Sequence, residues 1–211
     1  MKVIAFNGSP HPNGNTRRAL DTVCAQLEAA GIETEIICVG AAEVHSCRGC
    51  NQCARNRDGS CVLTDDPVNE WIQKMAQADG ILLGSPVHFA GISAAMKAFL
   101  DRAFYVCDNS GHLLRHKVGA AVTAVRRSGG VVTADALYHY LAYSEMLLPT
   151  SNYWPVVHGL KPGQAAEDAE GMQILEILGR NMAWLMKSLA FSRNAVPAPE
   201  TVKKVYTNFV R

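Results

Sequence analysis

Residues 2–20 read KVIAFNGSPHPNGNTRRAL, and their order decides the fold. The apolar run 3–6 ends at Asn7-Gly8, the pattern of a short buried strand closed by a turn. Polar and glycine-rich residues follow. From Asn15 onward Leu20, Val23, Cys24 and Leu27 fall on one helical stripe that reaches residue 30, where Gly31 stops it. Residues 33–39 read as a second strand. This strand, turn, helix unit then recurs. Asp65, Asp66 and Pro67 start a helix that runs to Gln77, with acids at its positive end and a proline early. Strands at 81–84, 118–125 and 152–157 alternate with helices at 93–105, 132–146 and 167–189. Five strands and five helices in alternation predict an α/β fold, a parallel sheet covered on both faces. Residues 1–190 form one domain with a cysteine-rich loop at 43–65, and 191–211 form a tail suited to an oligomer contact.

Composition narrows the function classes. The chain has 211 residues, enough for one real core, with 48% hydrophobic and 18% charged residues. A formal net charge of +1 gives no electrostatic footprint for nucleic acid or an anionic membrane. No apolar run is long enough to span a bilayer. The N-terminus reads as a strand rather than a secretory signal. Seven cysteines without an export signal point to reduced thiols and a cytoplasmic location.

Ligands of wound sheets bind at the carboxyl ends of the strands, so the turns there are the candidates. The first turn and helix start, GSPHPNGNTRR (residues 8–18), offers Ser9, His11, Asn13, Asn15 and Thr16 at a helix N-terminus. Exposed N–H groups there, completed by hydroxyls and amides, suit a phosphate; one capping residue would suffice for a plain helix start. The turn has neither a Walker lysine nor a G-x-G-x-x-G fingerprint. The turn after the third strand presents Pro86, Val87, His88 and Phe89. An aromatic ring and an imidazole there could pack on a flat ring, although His88 alone reads as an ordinary turn histidine. The turn after the fourth strand carries Arg126, Arg127 and the pair Gly129-Gly130, which permits close backbone approach.

A second constellation is CRGCNQCARNRDGSC, residues 47–61. Cys47, Cys50, Cys53 and Cys61 have the spacing C-x2-C-x2-C-x7-C, which fits neither a helix face nor a strand face. A loop folded around one point fits it, with a metal or iron–sulfur cluster as a natural occupant. Free thiols on an ordered loop, and zinc or a disulfide, remain alternatives. Cys24, Cys38 and Cys107 read as core fillers. Trp71, Trp154 and Trp184 read as core or subunit-contact residues, and the apolar stripe of the last helix as core or a subunit interface.

GSPHPNGNT (residues 8–16), SPVHFAGISAAMKAFLDR (85–102) and SGG (128–130) resemble the NADPH-dependent FMN reductase family of flavodoxin-like proteins. The cysteine segment followed by Thr64, Asp65 and Asp66 resembles its iron–sulfur flavoprotein branch. The match spans residues 1–190. It implies a flavodoxin-like three-layer sandwich with strand order 2-1-3-4-5 and bound FMN. By that resemblance Ser9, Asn15 and Thr16 hold the FMN phosphate, with His11 and Asn13 on the same turn. Pro86, Val87, His88 and Phe89 contact the ring and ribityl chain, and Gly129 and Gly130 close the other side. Many relatives carry tyrosine or tryptophan at the position of His88. Arg126, Arg127 and Arg48 are equal candidates for a nicotinamide 2′-phosphate, solvated surface arginines being the alternative. The four cysteines bind a 4Fe–4S cluster in that branch. The activity implied is an FMN-dependent oxidoreductase taking electrons from NAD(P)H or a redox protein and passing them to a flavin or quinone, in a homodimer or homotetramer. An iron–sulfur relay between protein partners and a flavin-binding redox sensor are the alternatives.

Overall fold

The computed structural model describes residues 1–202 and 204–209. The expected tail at 191–211 therefore falls partly outside the described residues. The elements run β1 (Lys2–Asn7), α1 (Asn15–Ala29), β2 (Glu33–Cys38), α2 (Gln52–Asn56), α3 (Val68–Gln77), β3 (Gly80–Pro86), α4 (Ala94–Asn109), β4 (Val118–Val125), α5 (Gly130–Tyr143), β5 (Val156–His158) and α6 (Ala169–Ser192). A short 3₁₀ turn, Gln164–Glu167, precedes α6. The five strands lie in the order β2-β1-β3-β4-β5, all parallel. The parallel sheet covered on both faces is the one expected from the alternation, and its strand order is the flavodoxin-like one implied by the resemblance.

The central strands are apolar throughout because helices cover both faces. Ile4, Phe6, Ile81 and Leu83 point to the layer of α3, α4 and α5. Val3, Ala5, Leu82 and Ala120 point to the layer of α1 and α6. The stripe read from Leu20, Val23, Cys24 and Leu27 is the buried face of α1. Burial of each such large side chain is worth roughly 1.5–3 kcal/mol. The same burial pushes the thiols of Cys24 and Cys107 up to about 12, so both are inert core atoms; Cys38 is only half-buried. No helix among the described residues is long and apolar enough to cross a membrane.

Several boundaries differ from expectation for local reasons. The strand expected at 152–157 is only Val156–His158. Pro155 has no N–H for a ladder, and its carbonyl instead accepts from Thr123 N at 2.9 Å. Tyr153 and Trp154 stand out in solvent, as does Trp184, while Trp71 is core. β3 continues through Pro86 because pairing with β4 extends to Pro86 opposite Ala124. α5 stops at Tyr143, short of residue 146, beyond which Glu145 takes φ +53°. α2 lies inside the cysteine loop, where no helix was expected.

The start of β2's exit loop is sterically tied to the first turn. A Cβ built on Gly40 falls 2.3 Å from Gly8 O and 2.4 Å from Ser9 O, both backbone atoms. Gly40→Ala is expected to lower stability by at least about 1–3 kcal/mol, the cost of overpacking. Gly91→Ala, whose methyl meets open space, should move it by less than about 0.5 kcal/mol. Urea unfolding of both variants checks this; equal midpoints would remove the steric argument.

Candidate functional site

Four turns meet at the carboxyl edge of the sheet, and hydrogen bonds link them in series. Gly8 N donates to Gly84 O at 2.7 Å, joining the turn after β1 to β3. Ser93, buried at the start of α4, donates from its hydroxyl to Gly8 O, while its N–H reaches Ser85 Oγ at 3.1 Å. Val87 N donates to Ala124 O at 2.9 Å, joining the turn after β3 to the end of β4. Gly159 N donates to Val125 O at 2.9 Å, bringing in the turn after β5. Asn15 closes the set from the first helical position. Its Nδ2 donates to Lys161 O at 3.0 Å, and its Oδ1 accepts from Ala165 N at 3.1 Å.

These turns surround one cavity of about 280 Å³. Of the residues singled out in the sequence, Ser9, His11, Asn15, Thr16, Pro86, Val87 and Arg126 line it together. Asn13 is exposed and does not line it; neither do His88 and Phe89, which form a tight turn. There His88 N donates to Gly91 O at 2.9 Å, and Phe89 sits at φ +60° with its ring fully exposed. Gly129 and Gly130 line an adjoining cavity of about 360 Å³ with Tyr153 and Trp154. Gly129 nevertheless abuts the site, since a Cβ there would meet Val87 Cγ1 at 3.2 Å.

The first turn presents its backbone to the cavity. α1 has no side-chain cap and no acid in its first turn. Its leading N–H groups therefore have no intrahelical acceptor. Thr16 is buried there, and Ser9 Oγ accepts from His11 N at 3.1 Å. Arg17 is committed to Asp21 at 2.7 Å. The turn's shape comes from Asn7, fully buried at the end of β1. Its Oδ1 accepts from Ser9 N at 3.0 Å and its Nδ2 donates to Pro12 O at 3.3 Å. In the sequence Asn7 reads only as a turn residue; an amide between a buried strand and a Gly-Ser-Pro turn is the signal that could have found it. Gly159, Leu160 and Pro162 also line the cavity without a sequence signal beyond their glycine and proline.

The cysteine loop makes a second cavity, of about 140 Å³, lined by all four of Cys47, Cys50, Cys53 and Cys61. All four are free thiols. Left-handed backbone at Gly49, Asn51, Arg57 and Gly59 coils the chain around them. α3 and α4 tether the coil. Asn69 brackets Cys61, accepting from its N–H at 2.7 Å and donating to its carbonyl at 2.8 Å. Tyr105 OH donates to Asn51 Oδ1 at 2.6 Å. Burial raises the thiol pKa of Cys53, and the neighbouring Cys61, Cys47 and Cys50 add to the effect. A cationic centre at this point would favour the thiolate form that burial disfavours at Cys53. Four cysteines on one cavity have the chemistry of a cluster donor set, although among the described residues no three metal-binding side chains stand at ligand geometry.

The pattern of the NADPH-dependent FMN reductase family matches residues 1–161. An iron–sulfur flavoprotein of Methanocaldococcus jannaschii is 37% identical over 194 residues, covering 89% of this chain and 98% of the relative. An iron–sulfur flavoprotein of Methanosarcina thermophila is 26% identical over 196 residues, covering 92% and 100%. Among solved structures, RosB with bound 8-demethyl-8-formylriboflavin-5′-phosphate superposes with a TM-score of 0.69 at 16% identity, over 100% of this chain and 92% of that one. The chain belongs to the NADPH-dependent FMN reductase family, and its role is flavin redox chemistry.

One ion pair holds the entry to the cysteine loop. Asp66 is paired with Arg102, both side chains being inaccessible to solvent. Burial would raise the Asp66 carboxyl, but the Arg102 guanidinium and the N–H groups of His45 and Val68 outweigh it and hold the pKa below its ordinary value. A depressed carboxyl adds stability that is complete above the ordinary carboxylate range and is lost as pH falls through the folded-state value. Asp66→Asn is expected to cost about 3–5 kcal/mol at neutral pH, because a buried cation loses its partner. It should also flatten the acid limb of the stability profile. Urea unfolding from pH 7 down to pH 3 tests both; an unchanged acid limb would show that Asp66 does not set it.

Proposed function

We propose that the chain is an FMN-dependent oxidoreductase whose flavin sits in the cavity between the four turns. The observation carrying this reading is the convergence of Ser9, Thr16, Pro86, Val87 and Arg126 on one cavity at the uncapped start of α1. Bound FMN supplies acceptance of a hydride and release of electrons one or two at a time. The chain's residues position it. The N–H groups leading α1, with Ser9 and Thr16, bind the phosphate. Pro86 and Val87 give an apolar wall to the ring, with Gly129 behind Val87. Asn15 acts mainly as a clamp, since both ends of its amide hold the 161–165 segment. His88, Phe89 and Gly130 lie where they could meet the outer part of a ring or a second substrate, and His11, Asn13 and Arg126 at the polar rim. Arg126 would address a 2′-phosphate of NADPH.

The donor proposed is NAD(P)H or a redox protein, and the acceptor a flavin or quinone. The cysteine set, together with relatives named iron–sulfur flavoproteins, supports a 4Fe–4S cluster on Cys47, Cys50, Cys53 and Cys61. The cluster supplies single-electron transfer, which favours the relay reading beside the reductase. We also propose that residues 1–190 form the redox domain and that the tail contacts another copy; Val202, Val205, Tyr206 and Phe209 expose apolar side chains there.

Purified chain should bind one FMN, and riboflavin more weakly because it lacks the phosphate. Thr16→Val should weaken FMN about tenfold, the scale of one charge-assisted hydrogen bond, and leave riboflavin nearly unchanged. Fluorescence titration of the apoprotein reads both. Equal loss for the two ligands would sink the phosphate assignment, and no flavin uptake the whole reading. Anaerobic turnover should consume NAD(P)H with a quinone; flavin that stays oxidised with either nicotinamide would leave a redox protein as donor.

A further inference from the structure

Arg102 is the largest fully buried side chain of the protein. It lies on α4, far in sequence from the cysteines, yet it lines their cavity. Its guanidinium grips both flanks of the cysteine segment. Nη1 donates to His45 O at 3.1 Å and pairs with Asp66, while Nη2 donates to Leu63 O at 3.1 Å. His45 precedes Cys47 and Leu63 follows Cys61, so one planar group fixes where the loop leaves and rejoins the fold.

Those bonds place three of the five guanidinium N–H donors. Arg102 Nε is buried and has no hydrogen-bond partner. A buried N–H without an acceptor costs about 1–3 kcal/mol, and a guanidinium used only as a strap need not leave one. A buried ion pair is itself roughly neutral for stability compared with apolar residues of the same volume. Retention of a charged fork at this wall therefore calls for an acceptor in the cavity. The donor set of that cavity is four thiols, which as cluster ligands would be anionic and able to accept.

The geometry points to Arg102 as a positioning residue of the cluster site: it holds the two ends of the loop together and offers Nε–H to the sulfur of the centre bound there. This rests on the cluster reading above. A donor aimed at sulfur, with a positive charge behind it, stabilises the more negative, reduced form and so raises the potential.

The test uses the whole chain, reconstituted anaerobically with iron and sulfide and grown on arginine carrying ¹⁵N in the guanidinium only. Pulsed EPR of the reduced cluster should show a ¹⁵N coupling. It should survive Arg48→Lys, which removes the other arginine at the cavity, and vanish in Arg102→Lys. Arg102→Lys should also take up less iron and shift the midpoint potential negative. Wild-type chain that binds flavin but no iron or sulfide would overturn the cluster reading and this assignment together. A loaded wild type without arginine coupling, or Arg102→Lys with unchanged potential, would overturn the assignment alone. The wild-type measurement decides even if the variant fails to fold.

Discussion

At the carboxyl edge of this sheet the first turn approaches β3 at backbone distance. The contact Gly8 N to Gly84 O, at 2.7 Å, sets the spacing, and it leaves no room for side chains. A Cβ on Gly8 would lie 2.7 Å from Met96 Cβ, and one on Gly84 would lie 2.9 Å from Leu20. Glycine is required there by close packing; neither residue has a positive φ. Once the turns are this close, their polar groups must satisfy one another, since water has no access. Asn7, Ser85 and Ser93 do so, each buried and each bonded to backbone or to another turn. The cavity is thus a by-product of hydrogen bonds that close on themselves, and its walls are set before any ligand arrives.

The same constraint joins the two sites. Gly40 N donates to Asn7 O at 3.0 Å, and Gly40 packs on Gly8 and Ser9. Three residues later the chain enters the cysteine loop. The first turn, proposed to hold the flavin phosphate, and the start of the loop proposed to hold a cluster therefore share a backbone contact. The other end of the loop is fixed by Asp66 and Arg102, and α4 begins at Ser93, whose hydroxyl holds Gly8. α4 is common to both sites: its start braces the flavin turn, and its middle braces the cysteines.

Much of this was legible in the chain. Apolar runs at 3–6 and 81–84, with helical stripes between them, fix a parallel wound sheet, and residues of the polar turn at 8–16 line the cavity at its carboxyl edge. What was hidden has a physical cause in each case. Pro155 removes a ladder donor, so β5 is short although Val156 and Val157 look like its end. Tyr153, Trp154 and Trp184 are exposed, which hydrophobicity alone cannot foresee. α2 is bounded by Asn51 and Arg57 in left-handed conformations, and neither residue announces that from sequence. Arg102 looks like one more charge on an amphipathic helix, because its partners His45, Leu63 and Asp66 lie tens of residues away. Long-range pairing of a single charge leaves no periodic trace.

The two sites differ in how far they are prepared. At the flavin edge, the groups that shape the turns are bonded at both ends, as Asn7 and Asn15 show, so binding there orders little further. In the cysteine loop the backbone is pinned at its flanks, but the non-glycine residues Asn51 and Arg57 sit in a region that costs about 1–2 kcal/mol each. Tethers from Asn69 and Tyr105 offset that cost, while the four sulfurs are not drawn to a point. The loop therefore has a fixed frame around sulfurs that are still to be gathered. A cationic centre, which takes sulfur as thiolate, is ligand chemistry suited to gathering them.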